Sequence, residues 1–203
     1  MKRILLMVLL ALALPMAAFA SSVDFTNSGG TLSGSSAGLS LTGSELVAVN
    51  GLNGLGLVTG NSLGSVSFST GALNSGSLAQ GGSFMAGGTF TIKGNGMNGI
   101  PNTTLFSGTF TGPVTWTLVT LANGTNNYTL SGSLTGTWYN GTTVFGATVQ
   151  LTINTGKGFF NGSTTISSGD TNINTVVPEP GSLTLLGTGL VGLAGLLRRK
   201  LKA

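Results

Sequence analysis

Cysteine and histidine are absent from this sequence. Without cysteine there is no disulfide framework and no thiolate metal site. Without histidine the Ser-His-Asp and Cys-His constellations of nucleophilic catalysis are excluded as well. Charge is scarce: eight Lys and Arg against four Asp and Glu, with a net charge of +4. Six of the eight cations stand near the two ends, at Lys2, Arg3, Arg198, Arg199, Lys200 and Lys202. In the body, residues 21–177, only Lys93 and Lys157 face Asp24, Glu45 and Asp170, a net of −1. The basic balance belongs to the termini, so no basic patch is expected to neutralise phosphates and no nucleic-acid partner is expected. Three carboxylates in no recognisable motif give no acid–base pair of the glycosidase kind. The chain is therefore read as a non-enzyme with no cofactor. Asp170-Thr171-Asn172-Ile173-Asn174 begins like a calcium loop, but Thr175 stands where that loop needs glycine and no glutamate closes it.

What is abundant is small and polar. Residues 21–177 hold 30 Gly, 27 Thr, 21 Ser and 16 Asn among 157 positions. Disorder is the alternative such a composition raises, but Phe, Trp, Tyr, Val, Leu and Ile recur at spacing two, which argues for strands. Tyr128, Leu130, Leu134 and Trp138 share even parity, with Gly132 and Gly136 at the intervening even positions. Phe145, Ala147, Val149, Leu151 and Ile153 share odd parity. Asn123-Gly124 and Asn140-Gly141 separate these runs as hairpin turns do. The spacing predicts an antiparallel meander over 105–153, extended by Phe159 to Ile166. Gly71 to Gly82 reads as a loop, and 167–175 as a polar spacer. No stretch of the body shows the i, i+3, i+4 period of a helix, and no repeat of 20–50 residues stands out. The expectation is an all-β body at 21–166, an antiparallel sandwich or barrel-like fold, with a solenoid as the weaker alternative.

Met1 to Ala20 reads as a secretory signal peptide. Lys2 and Arg3 form the basic region, Ile4 to Leu14 the apolar core, and Ala18-Phe19-Ala20 the small-residue site, with cleavage expected before Ser21. The end of the chain is organised differently. Val177-Pro178-Glu179-Pro180 should be stiff and extended, because each proline fixes its own φ and biases its predecessor. Gly181 to Leu197 is uncharged and about 25 Å long as a helix, the short end of a membrane span. Arg198, Arg199, Lys200 and Lys202 form a basic stop within the tail 198–203, expected to stay cytoplasmic.

These three parts, in this order over 176–203, resemble the PEP-CTERM sorting signal of Gram-negative bacteria. The resemblance implies an exosortase as processing partner, a transient anchor in the inner membrane through a single transmembrane helix at 181–197, and delivery to the cell surface or extracellular matrix. It says nothing of the body. Two function classes follow for the body: a non-enzymatic surface or biofilm-matrix protein whose Thr, Ser and Asn faces associate with exopolysaccharide, or a carbohydrate- or protein-binding adhesin module. Tyr128 and Tyr139 are the candidate ligand surface for the second. Trp116 and Trp138 read more readily as core. Asn102, Asn123, Asn127, Asn140 and Asn161 begin N-x-Ser/Thr sequons that reflect Asn-Gly turns and threonine content rather than N-glycosylation.

Overall fold

The computed structural model describes residues 21–175. The signal peptide, the Pro-Glu-Pro motif, the transmembrane helix and the basic stop read above lie outside the described residues. Among the described residues no helix is long and apolar enough to cross a membrane, and the only helical turn is a short 3-10 turn at Leu52–Gly54.

Thirteen strands form one sheet. They are β1 (Ser21–Ser28), β2 (Thr31–Ser35), β3 (Gly38–Asn50), β4 (Leu57–Ser69), β5 (Leu73–Ser77), β6 (Gly81–Phe84), β7 (Gly87–Gly94), β8 (Thr104–Phe110), β9 (Val114–Thr120), β10 (Asn126–Trp138), β11 (Thr143–Asn154), β12 (Ser163–Thr165) and β13 (Ser168–Thr175). The pairing order β11-β13-β1-β3-β4-β7-β8-β10 is closed by a further pairing of β10 with β11. Eight strands therefore make an antiparallel barrel in simple up-and-down order, and closure removes the free edges an open sheet would expose. The seven antiparallel pairings along the ring alternate the strand directions, so the first strand and the last run opposite ways.

The remaining five strands continue barrel strands rather than adding new ones. β1 and β2 pair in turn with one edge of β3, at Ser28↔Glu45 and then Thr31↔Thr42. β8 and β9 likewise share one edge of β10. β6 pairs with β9 where β7 pairs with β8, and β12 pairs with β2. The breaks are local. Gly29 and Gly30 both take positive φ, 66° and 78°, a conformation that side-chain-bearing residues adopt at a cost. Pro113, between β8 and β9, has no N–H to give a ladder.

Because strand direction alternates, Ser22 and Thr175 lie at one end of the barrel, here termed the lower end. The chain enters and leaves the barrel there. The turns Ser36–Ala37, Leu78–Gln80 and 121–125, and the longer connection 155–162, lie at the upper end.

Eight strands enclose a space just wide enough to be filled by side chains. Phe68, Phe90, Phe106 and Phe110 form the middle of the core, with Phe68 and Phe90 stacked at 6.0 Å and Phe90 edge-on to Phe110 at 6.1 Å. Glycine makes room for these rings. A Cβ at Gly132 would meet the Phe110 ring at 2.7 Å, and at Gly108 or Gly136 the tip of Phe106 at 2.8 Å. Position 132 on β10 is thus small because the Phe110 ring fills its space, and position 136 because the backbone of β8 at Ser107 and Gly108 passes closest, with the Phe106 ring beside it. Phe25 and Trp138 fill the lower part, 5.9 Å apart, and Trp116, Tyr128 and Phe160 the upper.

Three expectations need correction. Gly71 to Gly82 is not a loop: it supplies β5 and the first half of β6, and the two strands pair through Ser75↔Ser83, whose hydroxyls are 2.8 Å apart. Residues 167–175 are not a spacer, since β13 closes the barrel between β11 and β1. Its polar outward side chains hid an inward row of Gly169, Thr171 and Ile173, all buried. Phe145 does not share the inward face of Ala147. Gly146 takes a φ of 74° in a bulge opposite Leu134 and Thr135, which turns Val144 inward and leaves Phe145 66% exposed.

Candidate functional site

Tyr128 and Tyr139, read together as a ligand surface, lie in opposite halves of the barrel and have different roles. Tyr128 is wholly buried. Its ring stacks on Trp116 at 4.9 Å and 16°, and Phe160 packs edge-on against Trp116 at 5.5 Å. The Tyr128 hydroxyl donates to the Ala79 carbonyl at 2.6 Å and accepts the Phe160 N–H at 3.0 Å. Trp116 Nε1 donates to the Leu78 carbonyl at 2.8 Å. Both polar tips therefore pin the β5–β6 turn across the upper end, the usual way buried Trp and Tyr satisfy their polar atoms. Tyr128 cannot present a face to a ligand. Tyr139 follows Trp138 at the lower end, is 37% exposed, and its hydroxyl donates to Asn53 Oδ1. Ser21, the residue expected after signal cleavage, opens β1.

The outer wall holds a groove of about 770 Å³ that spans β1, β13, β11, β10 and the start of β9. Its lining follows from register. Thr115 pairs with Ser131, Ser131 with Gln150, and Gln150 with Asp170, and Thr26 Oγ1 donates to Asp170 Oδ1 at 3.0 Å. Two residues along, Ser133 pairs with Thr148, Thr148 with Asn172, and Asn172 Nδ2 donates to Asp24 Oδ1. Two parallel polar rungs thus cross the strands. Strand spacing of about 4.8 Å puts the longer rung at roughly 19 Å and the two rungs about 7 Å apart. Pro113 supplies an apolar rim. Two of the three carboxylates of the body, Asp24 and Asp170, lie in this groove, and neither Lys nor Arg lines it.

The sequence located both aspartates but not their meeting, because cross-strand register decides it and 146 positions separate them. Asn172, within the stretch expected to be a polar spacer, is a donor in the groove. The inward-facing Thr171 hydroxyl is buried with no partner. Val177, Pro178, Glu179, Pro180, Arg198, Arg199, Lys200 and Lys202, with Ala18 and Ala20, lie outside the described residues.

Comparison with known proteins gives one finding. Residues 176–200 match the family model described as the PEP-CTERM protein-sorting motif. No curated protein and no solved structure matches the chain. The chain thus carries a PEP-CTERM sorting motif immediately after β13, which ends at Thr175. The motif implies export, exosortase processing at the membrane, and then the cell surface.

Proposed function

We propose that this is a non-catalytic surface protein whose barrel is the exported cargo and whose tail is the address, and that the barrel associates with exopolysaccharide once delivered. The observation that carries the reading is the sorting motif at 176–200. In this reading the apolar run 181–197 holds the chain transiently in the inner membrane, Arg198, Arg199, Lys200 and Lys202 stop its passage, and Pro178-Glu179-Pro180 presents the extended segment that an exosortase reads. Two features support a body without catalysis. The chain has neither histidine nor cysteine, and the barrel interior is filled by aromatic and aliphatic side chains rather than by a substrate cavity. Matrix association is supported by the outer wall, where strands present Thr, Ser, Asn and Gln to the surroundings. A specific binding module is the second reading, favoured by the polar groove rather than by the two tyrosines.

The tail is tested by separating insertion from processing. Pro178→Ala with Pro180→Ala leaves the apolar run and basic stop intact. In a host with an exosortase the double variant should accumulate at full length in the membrane fraction, while the parent chain appears at the surface in a shorter form. Fractionation with mass spectrometry of the C-terminus reads both. A parent chain that keeps Arg198 to Ala203 at the cell surface would sink the proposal.

A further inference from the structure

We infer that the groove between β1 and β9 is a binding site for an extended, neutral polysaccharide laid across the strands. It deepens the matrix reading of the body and rests on it, but it does not depend on how the tail is processed.

Three properties of the groove select this ligand. The first is chemistry. Its outward side chains end in hydroxyls, amides or carboxylates at Asp24, Thr26, Gln150, Asp170 and Asn172 and at the serines and threonines of β9 to β11. The hydroxyls and amides both donate and accept, and the carboxylates accept, which together is what a sugar's vicinal hydroxyls require. The second is orientation. Asp24 is held by Asn172 and Asp170 by Thr26, each through Oδ1, so two carboxylates stand pre-set on neighbouring strands. Each keeps its Oδ2 as an acceptor, and a hydrogen bond to a charged acceptor is worth more than one between neutral groups. The third is charge. With two carboxylates and no Lys or Arg in the lining, the groove repels uronates, sulfates and phosphates.

Length and shape agree. Within each rung a polar side chain recurs once per strand, about every 4.8 Å, close to the length of one pyranose unit in an extended glycan. A groove of about 770 Å³ falls within the range of ligand clefts and is large enough for several such units. No aromatic ring lines it, so no stacking platform adds affinity. Each contact is then weak, and retention depends on many barrels meeting one polymer chain. Long polymers should therefore bind far better than short oligomers of the same sugar, as suits a matrix component.

The test uses the barrel alone, residues 21–175. Residues 22–175 form one compact unit with its own core, and the barrel closes on itself. Affinity electrophoresis and calorimetry compare barley β-glucan and dextran (neutral), chitosan (cationic) and alginate (anionic). Neutral polymer should bind and alginate should not. Asp24→Ala with Asp170→Ala should weaken neutral-polymer binding about tenfold or more, the loss of one or two hydrogen bonds to charged acceptors. Gln150→Leu, on an exposed strand position that tolerates an apolar side chain, should weaken it in the same direction. Lys157→Ala, in the 155–162 connection outside the groove, should change nothing. Circular-dichroism melts confirm that each variant is folded. Neutral binding that survives both groove variants overturns the inference, as does a preference for alginate or the absence of neutral binding. Binding of chitosan alone assigns the groove to cations and overturns it too. None of these failures touches the sorting proposal, whose readout is the processed C-terminus.

Discussion

The barrel contains two Trp–Tyr pairs, and they are built to opposite ends. In the upper pair, Trp116 and Tyr128 stack in parallel 4.9 Å apart, both fully buried, with their polar tips bonded to Leu78 and Ala79. In the lower pair, Trp138 and Tyr139 are chain neighbours, tilted at 59° and 5.4 Å apart, with Trp138 buried and Tyr139 on the surface. Strand parity accounts for the contrast. Trp116 and Tyr128 sit on paired strands, both pointing inward, whereas consecutive residues must point to opposite faces. The upper pair acts as a stopper whose hydrogen bonds hold the β5–β6 turn over the barrel mouth. The lower pair leaves one ring inside and one on the surface, bonded to Asn53 in the β3–β4 connection. The same two residue types therefore close one end and only border the other.

That contrast is open to measurement, most strongly at Trp116. Trp116→Ala should cost about 3–5 kcal/mol, as removal of a buried ring does when its neighbours cannot collapse into the space. Urea unfolding of the barrel reads this, and a loss below about 1 kcal/mol would show that the upper end is not a packed stopper. Tyr128→Phe keeps the ring and removes only the hydroxyl. It leaves the Ala79 carbonyl and the Phe160 N–H without their partner, so a loss of about 1–3 kcal/mol is expected. Hydrogen exchange should then rise selectively at Phe160 and around 78–80. The smallest effect belongs to the lower end. Tyr139→Phe removes an exposed bond to Asn53 and should stay within about 0.5 kcal/mol of the parent in the same unfolding experiment. Equal losses for the two tyrosines would erase the distinction between the ends.

Much of the barrel is legible from a single chain. The even-parity row Tyr128, Leu130, Leu134 and Trp138 faces inward as its spacing requires, with Gly132 and Gly136 set between the larger residues. The Asn-Gly turns are where they were read. Asn123 Oδ1 accepts the Thr125 N–H at 3.0 Å, and Asn140 Oδ1 accepts the Thr142 N–H at 2.9 Å. These signals are local, and local chemistry decides them. The misread segments are those whose state is set from a distance. Leu73 to Phe84 has too few apolar residues to announce strands, and its pairing depends on β9 as well as on itself. β13 shows only Ile173 as a large inward residue, so nothing within the segment reveals that it closes a barrel. Phe145 was misplaced because a single bulge at Gly146 inverts the alternation below it, as any one-residue slip does. The groove was the least legible feature. No motif encodes it, and its two rungs exist only once five strands are in register.

The placement of β13 beside β1 has a consequence for timing. Asp24 bonds to Asn172, so the first strand of the barrel has no partner on one side until the last strand has arrived. Contacts of such long sequence separation form late and slowly. In a chain that emerges N-terminus first, one edge of β1 would therefore stay unpaired until Ser168–Thr175 has emerged, although its other edge pairs with β3. Until that strand is in place the sheet is unclosed and keeps an aggregation-prone edge.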